Sequence, residues 1–143
     1  MESIEHLLEV KVPAEKVYEA LTTEKGLSEV WTNDLKVHNQ INALNEFRFG
    51  DNDESKMRVM ELVPGKRVSW KCIESDEPEW VNTIISFDIE EIQGETEITF
   101  RHMNWQKITG CYRSCNYNWA IFLNSLKQYC EEGKGQPYQK RRF

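Results

Sequence analysis

The stretch CYRSCNYNWAIFLNSLKQYCEE, residues 111–132, decides how the rest of the chain is read. Tyr112, Cys115, Trp119, Phe122, Leu123, Leu126 and then Tyr129 or Cys130 recur at spacings of three and four, which places them on one side of an α-helix. Gly133 follows as a left-handed stop. The stripe is wide and aromatic, so this helix has to bury it against some other part of the chain.

What precedes the helix reads mostly as strands. Turn residues punctuate the sequence at 42–45, 50–53, 64–65, 75–78 and Gly94, and between them lie short runs rich in Val, Ile, Phe and Trp. Short strands joined by tight turns form an antiparallel meander, because parallel neighbours need long crossovers. Alternation then assigns faces. Val68, Trp70 and Cys72 share one side, as do Val81, Thr83, Ile85, Phe87 and Ile89, and later Thr96, Ile98, Phe100 and His102. Ser69, Lys71, Glu97 and Arg101 point the other way.

The start of the chain adds one more strand, from Ile4 to Val12, by the same period-two pattern. Pro13 suits the first turn of a helix, where its missing N–H costs nothing, and Val17, Tyr18, Ala20 and Leu21 give residues 14–21 an apolar face. Thr22 or Thr23 can cap a second short helix running to Val30. The expected class is α+β, with a sheet of about seven antiparallel strands packed on the long C-terminal helix.

Composition limits what such a domain can do. At 143 residues and 39% hydrophobic content the chain is one domain, able to bury about 70% of its unfolded surface. The expected division is a folded unit over residues 1–135 and a solvated basic tail over 136–143, which carries Lys140, Arg141 and Arg142. A net charge of −6, from 24 acidic and 18 basic residues, argues against nucleic acid as a partner. No apolar run reaches the length of a membrane span and the first residues lack the features of a signal peptide, so the expected location is cytoplasmic, without a membrane partner.

Four cysteines, Cys72, Cys111, Cys115 and Cys130, contain no C-x-x-C pair and no nearby His, so neither a metal nor a cofactor is expected. Cys111 and Cys115 stand four apart and share a helix face, where they could act together as ligands or as a redox pair; core packing is the expected role. His6 and His38 show no ligand spacing. Phosphate loops, nucleophile elbows and zinc-helix motifs are missing from the sequence. The catalytic candidates are His102, Glu61, Tyr112, Tyr117 and Arg58, with His102 as the base an enolisation would need.

The order of elements, one strand, two short helices, six strands and a long helix, resembles the helix-grip fold of the START-like (Bet v 1-like, SRPBCC) superfamily. More narrowly the sequence resembles the group related to the C-terminal domain of the Hsp90 ATPase activator Aha1, which has many bacterial members. The likeness is carried by residues 12–22, Trp31, residues 47–50, residues 59–62 with Pro64, residues 68–70, residues 94–102, and Trp119, Phe122, Leu123, Leu126, Lys127 and Gly133 to Gly135. It departs from the group's pattern at Glu95 and in the Asn- and Cys-rich start of the last helix.

The resemblance implies a curved sheet gripping the helix around an apolar cavity that in many relatives holds a small molecule. Five Trp in the chain fit an aromatic wall. The expected function is non-catalytic binding of a small hydrophobic or aromatic ligand. Trp31, Phe49, Trp70, Cys72, Phe87, His102, Trp105, Cys115, Trp119 and Phe122 are the expected wall. Two alternatives stand beside it: a module that contacts an Hsp90-type chaperone, and a cyclase- or hydrolase-like enzyme using His102 with Tyr112 or Glu61. The expected assembly is a monomer or homodimer.

Overall fold

In the computed structural model, which describes residues 1–141, seven strands form one antiparallel sheet. The strands are β1 (Glu2–Val10), β2 (Leu35–Lys36), β3 (Leu44–Arg48), β4 (Glu54–Val63), β5 (Arg67–Ser75), β6 (Ile84–Ile92) and β7 (Glu95–Trp105). Their order across the sheet is β1-β7-β6-β5-β4-β3-β2. Helices α1 (Ala14–Thr22) and α2 (Glu24–Val30) follow β1, and α3 (Gly110–Glu132) closes the fold. Sequential strands from β2 to β7 are neighbours, as short turns require, and β1 returns to pair with β7 along its whole length.

The chemistry at each boundary explains the elements. Thr23 caps α2, its hydroxyl accepting from the Gly26 N–H. Thr109 caps α3 in the same way through Tyr112 N–H, and Gly133, with φ 83°, ends it in the left-handed region. The inward face of the sheet alternates as the sequence predicts: Trp70, Ile85, Phe87, Ile98, Phe100 and His102 are all buried. Val81 is the exception. The chain makes a short 3-10 turn at Pro78–Trp80, Asn82 takes φ 71°, and β6 starts only at Ile84, so Val81 is left on the surface.

The outer face is polar and is stitched by charge. Glu61 on β4 pairs with Arg67 on β5, Arg67 with Asp88 on β6, Asp88 with Arg101 on β7, and Arg101 with Glu5 on β1, at 3.0, 2.6, 2.9 and 3.3 Å. Signs alternate across five strands, so cross-strand neighbours attract. Each pair is partly exposed, and water screening holds its contribution to roughly 0–1 kcal/mol. The inner face, against α3, carries the stabilising burial: Phe87, Phe100, Phe122, Leu126 and Trp70 have almost no exposed surface.

The segment expected to be a solvated tail is fastened to this body. Gln136 N–H donates to Ser125 Oγ, Tyr138 N–H to the Trp31 carbonyl, and the Arg141 guanidinium to the carbonyls of Val30 and Gln136. The close approach needs Gly135, because a Cβ there would lie 2.3 Å from the Glu29 carbonyl oxygen. Basic composition suggested solvation; backbone hydrogen bonding to α2 and α3 decided the outcome. Arg142 and Phe143 lie outside the described residues.

Candidate functional site

Between the N-terminal half of α3 and the sheet lies a cavity of about 440 Å³. Trp31, at the end of α2, and Trp119, on α3, form its inner wall, with Phe49 beyond the end of β3. The β5–β6 connection contributes Glu77 and Trp80; the C-terminal segment contributes Tyr138 and Arg141. Cys111, Ser114, Cys115 and Asn118 line the side belonging to α3, at positions that one helical face presents together. Trp80 lies nearly parallel to Trp119, with centroids 5.8 Å apart and 17° between planes, and Trp31 stands 5.3 Å from Trp119. The Trp80 indole N–H donates to Cys115 Sγ at 3.2 Å, which fixes the connection against the helix.

Of the ten residues expected to form the wall, Trp31, Phe49, Cys115 and Trp119 line this cavity. The others do not. Trp70, Phe87 and Phe122 interlock behind it, with Trp70 5.4 Å from Phe87 and Phe87 6.0 Å from Phe122, and are core. Cys72 is fully buried on β5, its thiol pushed up to about 12 by burial. Trp105 ends β7 under Tyr112, buried and 4.9 Å from His102. The connection that follows it is tied down by Thr109, whose hydroxyl donates to Glu79.

His102 sits on the inward face of β7 with no exposed surface. The Trp119 indole can only donate, and it does so to Nδ1 at 3.0 Å. Nε2 therefore carries the proton and donates to the Thr83 hydroxyl at 2.7 Å, which in turn donates to the Trp80 carbonyl. Desolvation pulls the imidazole down to about 3, so it is neutral at physiological pH. A base needs an open nitrogen and a route to substrate; here both nitrogens are spent on holding Trp119 and the β5–β6 connection. Glu61 is on the outer face in the ion-pair ladder, and Tyr112 donates to the Ser3 carbonyl. Arg58 donates to the Asn42 carbonyl, and Tyr117 is exposed and does not line the cavity. The catalytic candidates do not converge.

The cavity also carries charge. Asp53 is raised from the usual carboxylate range, first by burial and then by Glu77 and Asp76. Arg141 is lowered by burial and spends N–H groups on main-chain carbonyls. Among the described residues no three His, Cys, Asp or Glu side chains are grouped to hold a metal ion. Sequence reasoning missed Trp80 because it sits in a turn rather than on a strand, and missed Tyr138 and Arg141 because they were assigned to solvent. The docking of the tail on the Val30 and Trp31 carbonyls and the Ser125 hydroxyl leaves no pattern in hydropathy.

Residues 11–131 match the family model described as Activator of Hsp90 ATPase homolog 1-like protein. Among solved structures, the chain is similar to the Aha1 dimer from Colwellia psychrerythraea, with 38% identity and a TM-score of 0.85 over 94% of this chain and 100% of that one. It is similar in fold to a Staphylococcus saprophyticus protein at 18% identity, with a TM-score of 0.77 over 94% of this chain and 95% of the other. It also shares its fold with DynU16, from the dynemicin biosynthetic locus, at 20% identity and a TM-score of 0.77, covering 94% of this chain and 49% of that one. No curated protein matches the sequence. No helix among the described residues is long and apolar enough to cross a membrane.

Proposed function

Since the chain belongs to the Activator of Hsp90 ATPase homolog 1-like family, and its sheet and long helix leave a cavity unfilled, we propose that it binds a small hydrophobic or aromatic molecule there without catalysis. The observation that carries this reading is the cavity itself. Its volume of about 440 Å³ falls within the range of small-molecule sites, roughly 300–1,000 Å³. Trp31, Trp80 and Trp119 supply the apolar wall, and Asp53, Ser114, Asn118 and Arg141 supply the few polar groups that orient a ligand. A role as a general base is a poor fit for His102, which serves the wall by fixing the Trp119 ring.

A neutral fluorescent probe such as N-phenyl-1-naphthylamine tests the reading. Its emission should rise saturably with wild-type protein and fail to rise with Ser114→Trp, which fills the mouth from an exposed helix position. Failure to bind the wild-type protein, or equal binding by S114W, removes the proposal.

A second reading rests on the family match and on the Colwellia relative, whose name is that of a chaperone activator. On this reading the domain contacts an Hsp90-type ATPase. Adding the protein to the chaperone of its own cell should then raise ATP turnover; an unchanged rate and no co-elution dispose of it.

A further inference from the structure

Cys111 and Cys115 are the part of the cavity wall that apolar binding leaves unused. They stand one helical turn apart on α3, so their side chains leave the helix from the same face. Their Sγ atoms are 3.9 Å apart and neither is in a disulfide. Both line the cavity and are reachable from it. Each sulfur is also held by a different neighbour. Trp80 N–H donates to Cys115 Sγ at 3.2 Å, while the Cys111 thiol faces a Glu77 carboxylate oxygen at 3.6 Å.

The surroundings select the chemistry this pair can do. Burial and the carboxylates of Glu77 and Glu79 hold both sulfurs as thiols, so neither is an activated nucleophile of the kind that attacks disulfides or alkylating agents. Hard divalent cations need more donors than two sulfurs and one carboxylate provide. A soft centre that takes two sulfurs at once meets neither obstacle, because its binding can release both thiol protons as water.

We propose that Cys111 and Cys115 form a dithiol site for a trivalent arsenical carrying an apolar arm. For a species R–As(OH)₂, two As–S bonds form and two As–O bonds break. The two thiol protons leave with the two hydroxyl groups as two waters. Arsenic stays trivalent and sulfur is not oxidised, so no oxidant or reductant takes part. Glu77 is placed to accept the first proton from Cys111 and pass it to the departing hydroxyl. The arm R remains on arsenic and occupies the space bounded by Trp31, Trp80 and Trp119. The site stands on the sulfur geometry and goes beyond the apolar-ligand reading; it survives if N-phenyl-1-naphthylamine does not bind.

Phenylarsine oxide and inorganic arsenite are the probes, read by native intact-protein mass spectrometry and by Trp fluorescence on the folded full chain. Wild-type protein should gain one phenylarsenic group in place of two protons, with quenching of Trp emission. A monothiol wash should leave the adduct and a dithiol wash should remove it. Cys111→Ser and Cys115→Ser should each lose the adduct, while Cys130→Ser keeps it; circular dichroism establishes that each variant is folded. Phenylarsine oxide should outcompete arsenite, because only it fills the aromatic space. The proposal is overturned by a folded wild-type protein that takes up no phenylarsenic, by an adduct that persists in either single variant, or by arsenite binding as tightly as phenylarsine oxide.

Discussion

The two halves of α3 present one continuous apolar stripe but meet different surroundings. From Phe122 to Leu126 the helix faces side chains of the sheet and of α1 and α2, and no gap remains: Phe122 and Leu126 are fully buried, and Ser125 is satisfied by the Val30 carbonyl. From Cys111 to Trp119 it rests on β1 and β7 through Tyr112 and Trp119, while Cys111, Ser114, Cys115 and Asn118 face a cavity bordered by the β3–β4 turn, the β5–β6 connection and the 136–141 segment. The helix sequence alone does not make this difference. What opposes the stripe makes it: regular strands supply side chains at fixed spacing, whereas irregular segments supply Phe49, Asp53, Glu77, Trp80, Tyr138 and Arg141 around the cavity.

Removing a ring from each half separates the two most strongly. Phe122→Ala should cost about 3–5 kcal/mol in chemical denaturation, since it opens a void in packed core. Trp80→Ala, half-buried at the rim of an existing cavity, should cost clearly less although the ring is larger. Equal losses would mean that both halves are packed alike.

His102→Gln comes next, at roughly 1–3 kcal/mol near neutral pH, because the Trp119 N–H and the Thr83 hydroxyl lose a buried partner. Its pH dependence is more telling. In the unfolded chain an imidazole takes up a proton near 6.5, whereas folded His102 resists until about 3. The unfolded state holds the extra proton throughout that window, so stability is complete above pH 6.5 and falls as the pH drops toward 3. The slope from this group is at most about 1.4 kcal/mol per pH unit. In H102Q that part of the acid slope should vanish. A parallel pair of stability curves would show that His102 is not held neutral.

Much of this was legible in the sequence, for reasons that stop at the cavity. The α3 stripe, the Gly133 stop, the Thr23 cap and the inward parity of β5, β6 and β7 are all local patterns, written at spacings that one element imposes. Trp31, Phe49, Cys115 and Trp119 could be placed on the wall because they flank or lie on such elements. The same parity also put Trp70, Phe87 and His102 on the wall, and the helical stripe put Phe122 there, since periodicity says which side a residue faces and not how deep it lies. Trp80 and residues 136–141 are held by irregular contacts, among them Trp80 N–H to Cys115 and Arg141 to Val30, which have no sequence period.

The smallest expected effect lies on the outer face. Arg101→Ala breaks the charge ladder at two pairs, and because both are partly exposed the loss should stay within about 1 kcal/mol and shrink further with added salt. A larger loss would move weight from the inner face to the outer one.

The five indole N–H signals in a ¹⁵N-correlated spectrum report directly which indole rings border open space during titration with N-phenyl-1-naphthylamine. The prediction is a saturable shift of the Trp31, Trp80 and Trp119 signals with those of Trp70 and Trp105 unmoved. Shifts at Trp70 and Trp105, or none at all, would contradict it.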